Sequence, residues 1–343
     1  MPISMGDVIV VGGDIGSLTT ALAIARQRHR VKILDGGDSV VAPGTGFHLT
    51  PGVMRALDVL GVGNHARGRA VPVTELLLDG STGAPLTTVR SSAGPARRDH
   101  GWHSVIPGRH LLEPLRDACW SNPLIRIRPR STVTGFEQRD GRVTALLASG
   151  ERIHGDALIG ADGLCSPVRL QLSGERDAVS ASAMFHTSVP LDQVPPSLVS
   201  RGVGSAVTLW AGPDWQLVHY PNGERSLCLS VTCADRSGTV VRGAPVEAAR
   251  VLEALSEACP AARDLVSLGT DWSMWVPCSR DPVTNWRDSR VVVTGEASWP
   301  TPLHAFPASG RAVEDALLLG NLMDCDPADF PQAFRAYDQQ RRP

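Results

Sequence analysis

The stretch Val8-Ile-Val-Val-Gly-Gly-Asp-Ile-Gly-Ser17 constrains this chain more than any other. Four β-branched residues make a short buried strand, the glycines turn it, and the apolar-periodic run Leu18 to Ala25 continues as a helix. A second short strand, Val31 to Asp35, comes next. A strand, a glycine turn and a helix that returns to a parallel strand open a dinucleotide-binding βαβ unit, with a pyrophosphate resting on the helix N-terminus. Asp35 closes the second strand where an acidic residue takes a ribose hydroxyl.

In G-x-G-x-x-G spacing Gly12 stands first, while Asp14 and Ser17 stand in the second and third glycine places. The second glycine lets bare backbone approach the phosphates, and Asp14 brings a Cβ and a carboxyl group there. Two unit charges about 4 Å apart at an effective dielectric near 20 repel by roughly 4 kcal/mol. The sequence therefore predicts weakened phosphate binding, with Arg109 or Arg311 drawn to Asp14.

A chain of 343 residues with 42% hydrophobic content can bury one large core or two coupled ones, and no internal period points to repeats. A formal charge of -2 gives no electrostatic case for nucleic acid. Seven cysteines show neither C-x-x-C nor zinc spacing, and no charged-then-apolar leader precedes the first strand. The expectation is a reduced cytoplasmic protein with no metal, no membrane partner and a small-molecule substrate. No G-x-S-x-G, H-E-x-x-H or Walker loop is present.

Pro51 opens a helix with Val53, Leu57 and Leu60 on one face, and Gly61 stops it. Val73 to Leu78 and Leu86 to Val89 read as a hairpin, Trp102 to Ile106 as a further strand, and Arg109 to Trp120 as a helix. Short strands then lead into Asp156-Ala-Leu-Ile-Gly-Ala-Asp-Gly-Leu-Cys-Ser-Pro-Val-Arg169. Antiparallel strands at Val203 to Ala211, Gln216 to Tyr220 and Leu227 to Val231 precede a helix from Val246 to Ala258, which Pro260 is expected to end. Val291 to Thr294 is a buried strand entering Gly295-Glu-Ala-Ser-Trp-Pro-Thr-Pro, and a helix runs from about Arg311 to Met323.

These three motif stretches, in this order, resemble the fingerprints of the single-component FAD-dependent aromatic hydroxylases, the p-hydroxybenzoate and salicylate hydroxylase-like family. Asp162, Gly163, Ser166 and Arg169 fit its Asp-Gly motif, and Leu217-Val-His-Tyr-Pro221 is similar to its substrate-sheet strand. The resemblance implies an α/β fold: a Rossmann-like FAD-type dinucleotide-binding domain interleaved with a mostly antiparallel-sheet substrate domain. It places the first in residues 1–71, 107–169 and 281–343, and the second in 72–106 and 170–280. It also implies cofactor contacts at Gly12, Gly13, Asp35, Arg109 and Asp162.

The third fingerprint departs from the family pattern, with Gly295-Glu296 in place of Gly-Asp, Trp299 in place of a histidine, and Phe306-Pro307-Ala308 in the loop that meets the flavin. Pro307 has no N–H to give a flavin edge. The substitutions lead to the expectation of an enzyme that has lost FAD and needs no cofactor. Its reaction would be a non-redox step of secondary metabolism, a cyclisation, isomerisation or dehydration of a small hydrophobic aromatic or polycyclic molecule. The candidate proton-transfer residues are His48, His219, Tyr220, His304 and Glu296. The alternatives are an FAD- and NAD(P)H-dependent monooxygenase and a non-catalytic member that binds a metabolite or partner.

Overall fold

The computed structural model describes residues 3–37, 46–90, 103–174, 178–199, 206–223, 225–279, 285–299 and 310–342. The strand Asp7–Val11 lies inside a six-stranded sheet ordered Arg287–Asp288, Val291–Val293, Ala157–Gly160, Asp7–Val11, Arg30–Leu34 and Ile125–Arg128. All neighbours run parallel except the Arg287–Asp288 edge. Val8 to Val11, Ala157 to Ile159 and Val291 to Val293 are buried, as expected of a sheet covered on both faces.

The helix Ile15–Arg26 is buried nearly all round. It packs on the helix Arg311–Leu322, where a Cβ on Gly320 would come within 2.7–2.8 Å of Ala23, so only glycine permits this approach. Thr19 and Thr20, also buried, donate to the carbonyls of Ile15 and Gly16 at 2.6 and 2.7 Å and so leave no hydroxyl unmet.

A second, eight-stranded sheet is ordered Val241–Val246, Trp272–Val276, Ser182–Pro190, Ser226–Ala234, Trp215–Pro221, Ala206–Ala211, Glu75–Gly80 and Pro85–Arg90. It is antiparallel apart from the Ala206–Ala211 and Glu75–Gly80 pair. One face carries Phe185, Leu217, Leu229 and Val231 and packs beneath the helices Ala248–Ala254 and Pro260–Ser267. On the other face Val218 and Tyr220 pack with Val73 and Val105 of a small sheet, Gly46–Leu49, His103–Pro107 and Val71–Val73. That small sheet connects the two large ones. The observed mixture of a parallel α/β sheet with an antiparallel one agrees with the expected fold class.

Three local expectations are corrected. The single helix over 246–258 is a strand to Val246 and a helix that stops at Ala254. Pro260 does not end it but opens the next helix, where a missing N–H has no intrahelical partner to lose. The strand read from Trp102 is His103–Pro107, and Trp102 itself lies outside the described residues.

The third correction concerns the thiols, expected all to be reduced. Cys165, just after the Asp162-Gly163 turn, is disulfide-bonded across 113 residues to Cys278, on a short strand paired with Ala178–Val179. Cys119, Cys228, Cys233, Cys259 and Cys325 are free. Thiol titration of the denatured, unreduced protein is expected to count five thiols, and Cys165→Ser to lower unfolding stability by about 2–4 kcal/mol. Seven thiols, or a variant as stable as the parent, would count against the bond. Among the described residues no helix is long and apolar enough to cross a membrane.

Candidate functional site

Four turns leave the carboxyl edge of four adjacent parallel strands, and every motif residue singled out for cofactor binding, apart from Arg109, falls on them. Gly12 and Gly13 follow Asp7–Val11, Asp35 follows Arg30–Leu34, Asp162 follows Ala157–Gly160, and Glu296 follows Val291–Val293. In open α/β sheets this edge is where ligands bind. Gly12 has φ +125°, and a Cβ there would lie 2.4 Å from the Ala161 carbonyl oxygen. Its N–H donates to Leu34 O at 3.0 Å. A Cβ on Gly13 would lie 2.3 Å from the Asp35 carboxylate. The turn is thus closed on both sides by its neighbours' backbone and side chains.

Asp14 is the N-cap of the first helix and accepts the Ser17 N–H at 2.9 Å, while Ser17 Oγ donates to Asp14 O at the same distance. Asp14 and Ser17 thereby form a capping pair in the two glycine places. The expected arginine partner is not used. Arg311 runs alongside Asp315 at 3.9 Å and lies 5.1 Å over the Trp299 ring, and the charge of Arg109 reaches Cys228. Burial raises the Asp14 pKa against the lowering effect of the Ser17 hydrogen bonds.

Two further carboxyls respond to Asp14. Asp162 has its pKa raised to about 7, by burial first and by the Asp14 charge as a smaller cause, with Ser166 and nearby backbone acting the other way. Glu296, on the open rim of the turn Gly295–Ala297, is also raised to about 7 by the surrounding protein and then by Asp14. The fully buried Arg169 ties these turns together: its N–H meets Ser166 Oγ at 3.0 Å and its guanidinium meets Ala297 O at 3.3 Å.

Asp35 accepts the Gly37 N–H at 2.8 Å and lies 3.5 Å from Arg116, whose guanidinium also reaches Gly13 O at 3.4 Å. Arg116 was not singled out in the sequence. It stands seven residues, two helical turns, after Arg109 on the helix Gly108–Ser121, and that spacing is the signal that could have found it.

The remaining candidates separate by face. Tyr220 points toward the small sheet, its hydroxyl oxygen accepting the Gly46 N–H at 2.5 Å. His219, its neighbour, points the opposite way: it is registered with Thr208 and Leu229 and its ring lies 6.3 Å from Trp210, on the face beneath the helices. His48 is buried with Nε2 2.8 Å from His103 Nδ1 and the two rings stacked at 4.9 Å. Burial, then the charge of His103, lowers its pKa to about 4, so it is neutral at physiological pH. His304, with Phe306, Pro307 and Ala308, lies outside the described residues. His186, also unremarked in the sequence, is buried on the same sheet face as Tyr220.

A glycine turn, Asp35 and the Asp162-Gly163 turn lie together on one strand edge, beside a broad antiparallel sheet. The family model described as FAD binding domain matches residues 5–322, and the chain belongs to that family, among the single-component FAD-dependent aromatic hydroxylases. It is similar to the 3-hydroxybenzoate 6-hydroxylase of Polaromonas naphthalenivorans, 31% identical over 97% of this chain and 83% of that protein. The corresponding protein of Klebsiella oxytoca is 33% identical over 98% of this chain and 84% of its own length. A salicylate hydroxylase substrate complex shares the fold at TM-score 0.80 and 18% identity, covering 99% of this chain and 85% of that one. So does 2,6-dihydroxypyridine-3-hydroxylase from Arthrobacter nicotinovorans, at TM-score 0.79 and 19% identity over 98% of this chain and 88% of that one.

These findings overturn the expectation of a cofactor-independent cyclase, isomerase or lyase with a degenerate flavin site. The relatives are hydroxylases, and the matching family is one of FAD-binding domains. The error lay in treating Asp14 as a fixed negative charge. Its carboxyl accepts the Ser17 N–H at the helix N-terminus it caps, and burial raises its pKa, so the roughly 4 kcal/mol repulsion between two full charges is an upper bound.

Proposed function

We propose that this protein is an FAD-dependent hydroxylase of a small hydroxylated aromatic acid, with 3-hydroxybenzoate as the first substrate to test. The observation that carries this reading is the alignment of Gly12, Asp35 and Asp162 on one carboxyl edge, in a chain 31–33% identical to proteins named 3-hydroxybenzoate 6-hydroxylase over almost its whole length. The residues fit a flavin dinucleotide. The Gly12 turn has no room for a side chain, Asp35 accepts the Gly37 N–H and lies 3.5 Å from Arg116, and Gly163 at φ +75° turns the chain just after Asp162.

When bound, FAD supplies the electron transfer and oxygen activation. The balanced reaction is aromatic acid + O2 + NAD(P)H + H+ giving the hydroxylated acid, water and NAD(P)+. This chain's residues hold the dinucleotide and present the substrate from the sheet face that bears Tyr220. Residues 1–71, 107–169 and 281–343 then form the flavin unit, and 72–106 with 170–280 the substrate unit. Gly12, Gly13, Asp35, Arg109 and Asp162 are assigned to the cofactor. Among the proton-transfer candidates Glu296 lies on the strand edge with Asp14 and Asp162 and Tyr220 on the sheet face toward the small sheet, whereas His219 belongs to the packed face and His48 to the His103 pair. Reduced nicotinamide as electron donor goes with a cytoplasmic location.

The test is consumption of O2 and NADH by the purified protein on addition of 3-hydroxybenzoate, with a dihydroxybenzoate as product. Coupled turnover is the expected result. Failure of every hydroxybenzoate isomer to stimulate NADH oxidation would contradict the reading.

A further inference from the structure

The eight-stranded sheet presents, toward the small sheet and the flavin side, a row that no relative's name explains. Register places His186 of Ser182–Pro190 opposite Ser230, and Ser230 opposite Val218. Ser188, Cys228 and Tyr220 form the next row on the same face. Val218 and Tyr220 pack with Val73 and Val105, which fixes the direction of this face.

His186 is 4% exposed, and neither Nδ1 nor Nε2 has a hydrogen-bond partner. A neutral imidazole carries one donor and one acceptor, and buried polar atoms are almost always met. Of the hydroxyls nearby, Ser273 Oγ lies 3.4 Å from the backbone carbonyl of His186, Ser188 lies within reach of Asn222 and Cys228, and Ser230, opposite in register, makes no hydrogen bond to the ring. Burial lowers the His186 pKa to about 4, so the ring is uncharged at neutral pH and offers one N–H and one lone pair. A phenolic hydroxyl, itself one donor and one acceptor, matches that pattern. A carboxylate, which only accepts, does not.

We propose that His186 is the specificity-determining residue that receives the phenolic hydroxyl of the aromatic substrate by a hydrogen bond, on the sheet face that also bears Tyr220. The assignment rests on the hydroxylase reading above and extends it by naming the substrate group recognised and the residue that recognises it. His186 positions the ring and selects for the hydroxyl. It does not remove the proton in the resting complex, because its lone pair is too weakly basic.

The experiment measures, by calorimetry on the FAD-loaded protein, dissociation constants for 3-hydroxybenzoate and for benzoate with the parent, His186→Leu and His186→Gln. The parent is expected to prefer 3-hydroxybenzoate by tenfold or more. His186→Leu is expected to lose that preference while benzoate affinity stays within about twofold. His186→Gln, which keeps a donor and an acceptor, is expected to restore part of it, and retained FAD in both variants shows that they fold. The same preference in parent and His186→Leu overturns the assignment and leaves the hydroxylase reading standing. A parent that binds neither acid overturns both.

Discussion

Gly12→Ala is expected to lower FAD affinity at least about a hundredfold and unfolding stability by about 3 kcal/mol. The new methyl carbon would sit 2.4 Å from the Ala161 carbonyl oxygen, a backbone atom just past the strand Ala157–Gly160. The backbone must also keep φ +125°, a region L-residues rarely adopt. Both penalties fall on the turn at the helix N-terminus, which is assigned to the pyrophosphate. Gly37→Ala is the control: φ is +86° there but nothing lies within 4 Å, so only about 1 kcal/mol is expected. Flavin fluorescence titration and chemical denaturation check both variants. A Gly12→Ala protein that binds FAD like its parent would contradict the assignment of the turn.

The second large effect is a pH dependence of flavin binding. Asp14, Asp162 and Glu296 share the strand edge assigned to the pyrophosphate, and each has its pKa raised, the latter two to about 7. Below that pH the folded protein holds Asp162 and Glu296 protonated, neutral and able to donate. As pH rises through 7 they ionise and repel the phosphates. FAD affinity is therefore expected to fall about tenfold or more between pH 6 and pH 8, after discounting the repulsion for partial exposure. Asp14→Asn, which removes a charge that raises both of those pKa values, is expected to tighten binding at pH 8.

The same groups fix the sign for the flavin-free protein. Their folded pKa values lie above the ordinary 3.8 and 4.5, so the folded state binds more protons than the unfolded chain between about pH 4 and 7. Their contribution is fully present below the unfolded values and is lost as pH rises through about 7. A melting temperature lower at pH 8 than at pH 5, with a smaller difference in Asp162→Asn, is the expected result. Affinity and melting temperature both independent of pH would remove the three carboxyls from the account.

The parts of this site built from backbone geometry were legible in the sequence. Gly12, Asp35 and the Asp162-Gly163 turn each follow a short apolar run that reads as a strand. Asp14 was legible as a substitution but not in its consequence, because the Ser17 N–H and the depth of burial that moderate its charge are properties of the folded helix terminus. Arg116 meets Asp35 from 81 residues away in sequence, and Cys165 meets Cys278 from 113, distances at which spacing carries no information. His219 and Tyr220 are adjacent, and alternation shows that only one can face the flavin side without saying which. The register to Leu229 and the Tyr220 bond to Gly46 decide it. His186 gave no sequence signal at all: one histidine in an ordinary strand shows its importance only when its two nitrogens are found buried without partners.

The most direct measurement is the flavin itself, extracted from the purified protein and quantified against chain concentration, with FAD titrated back into the stripped protein at pH 6.5. The account predicts saturation at one FAD per chain, with binding abolished or severely weakened in Gly12→Ala. A correctly folded parent that neither releases flavin nor quenches added FAD would contradict it.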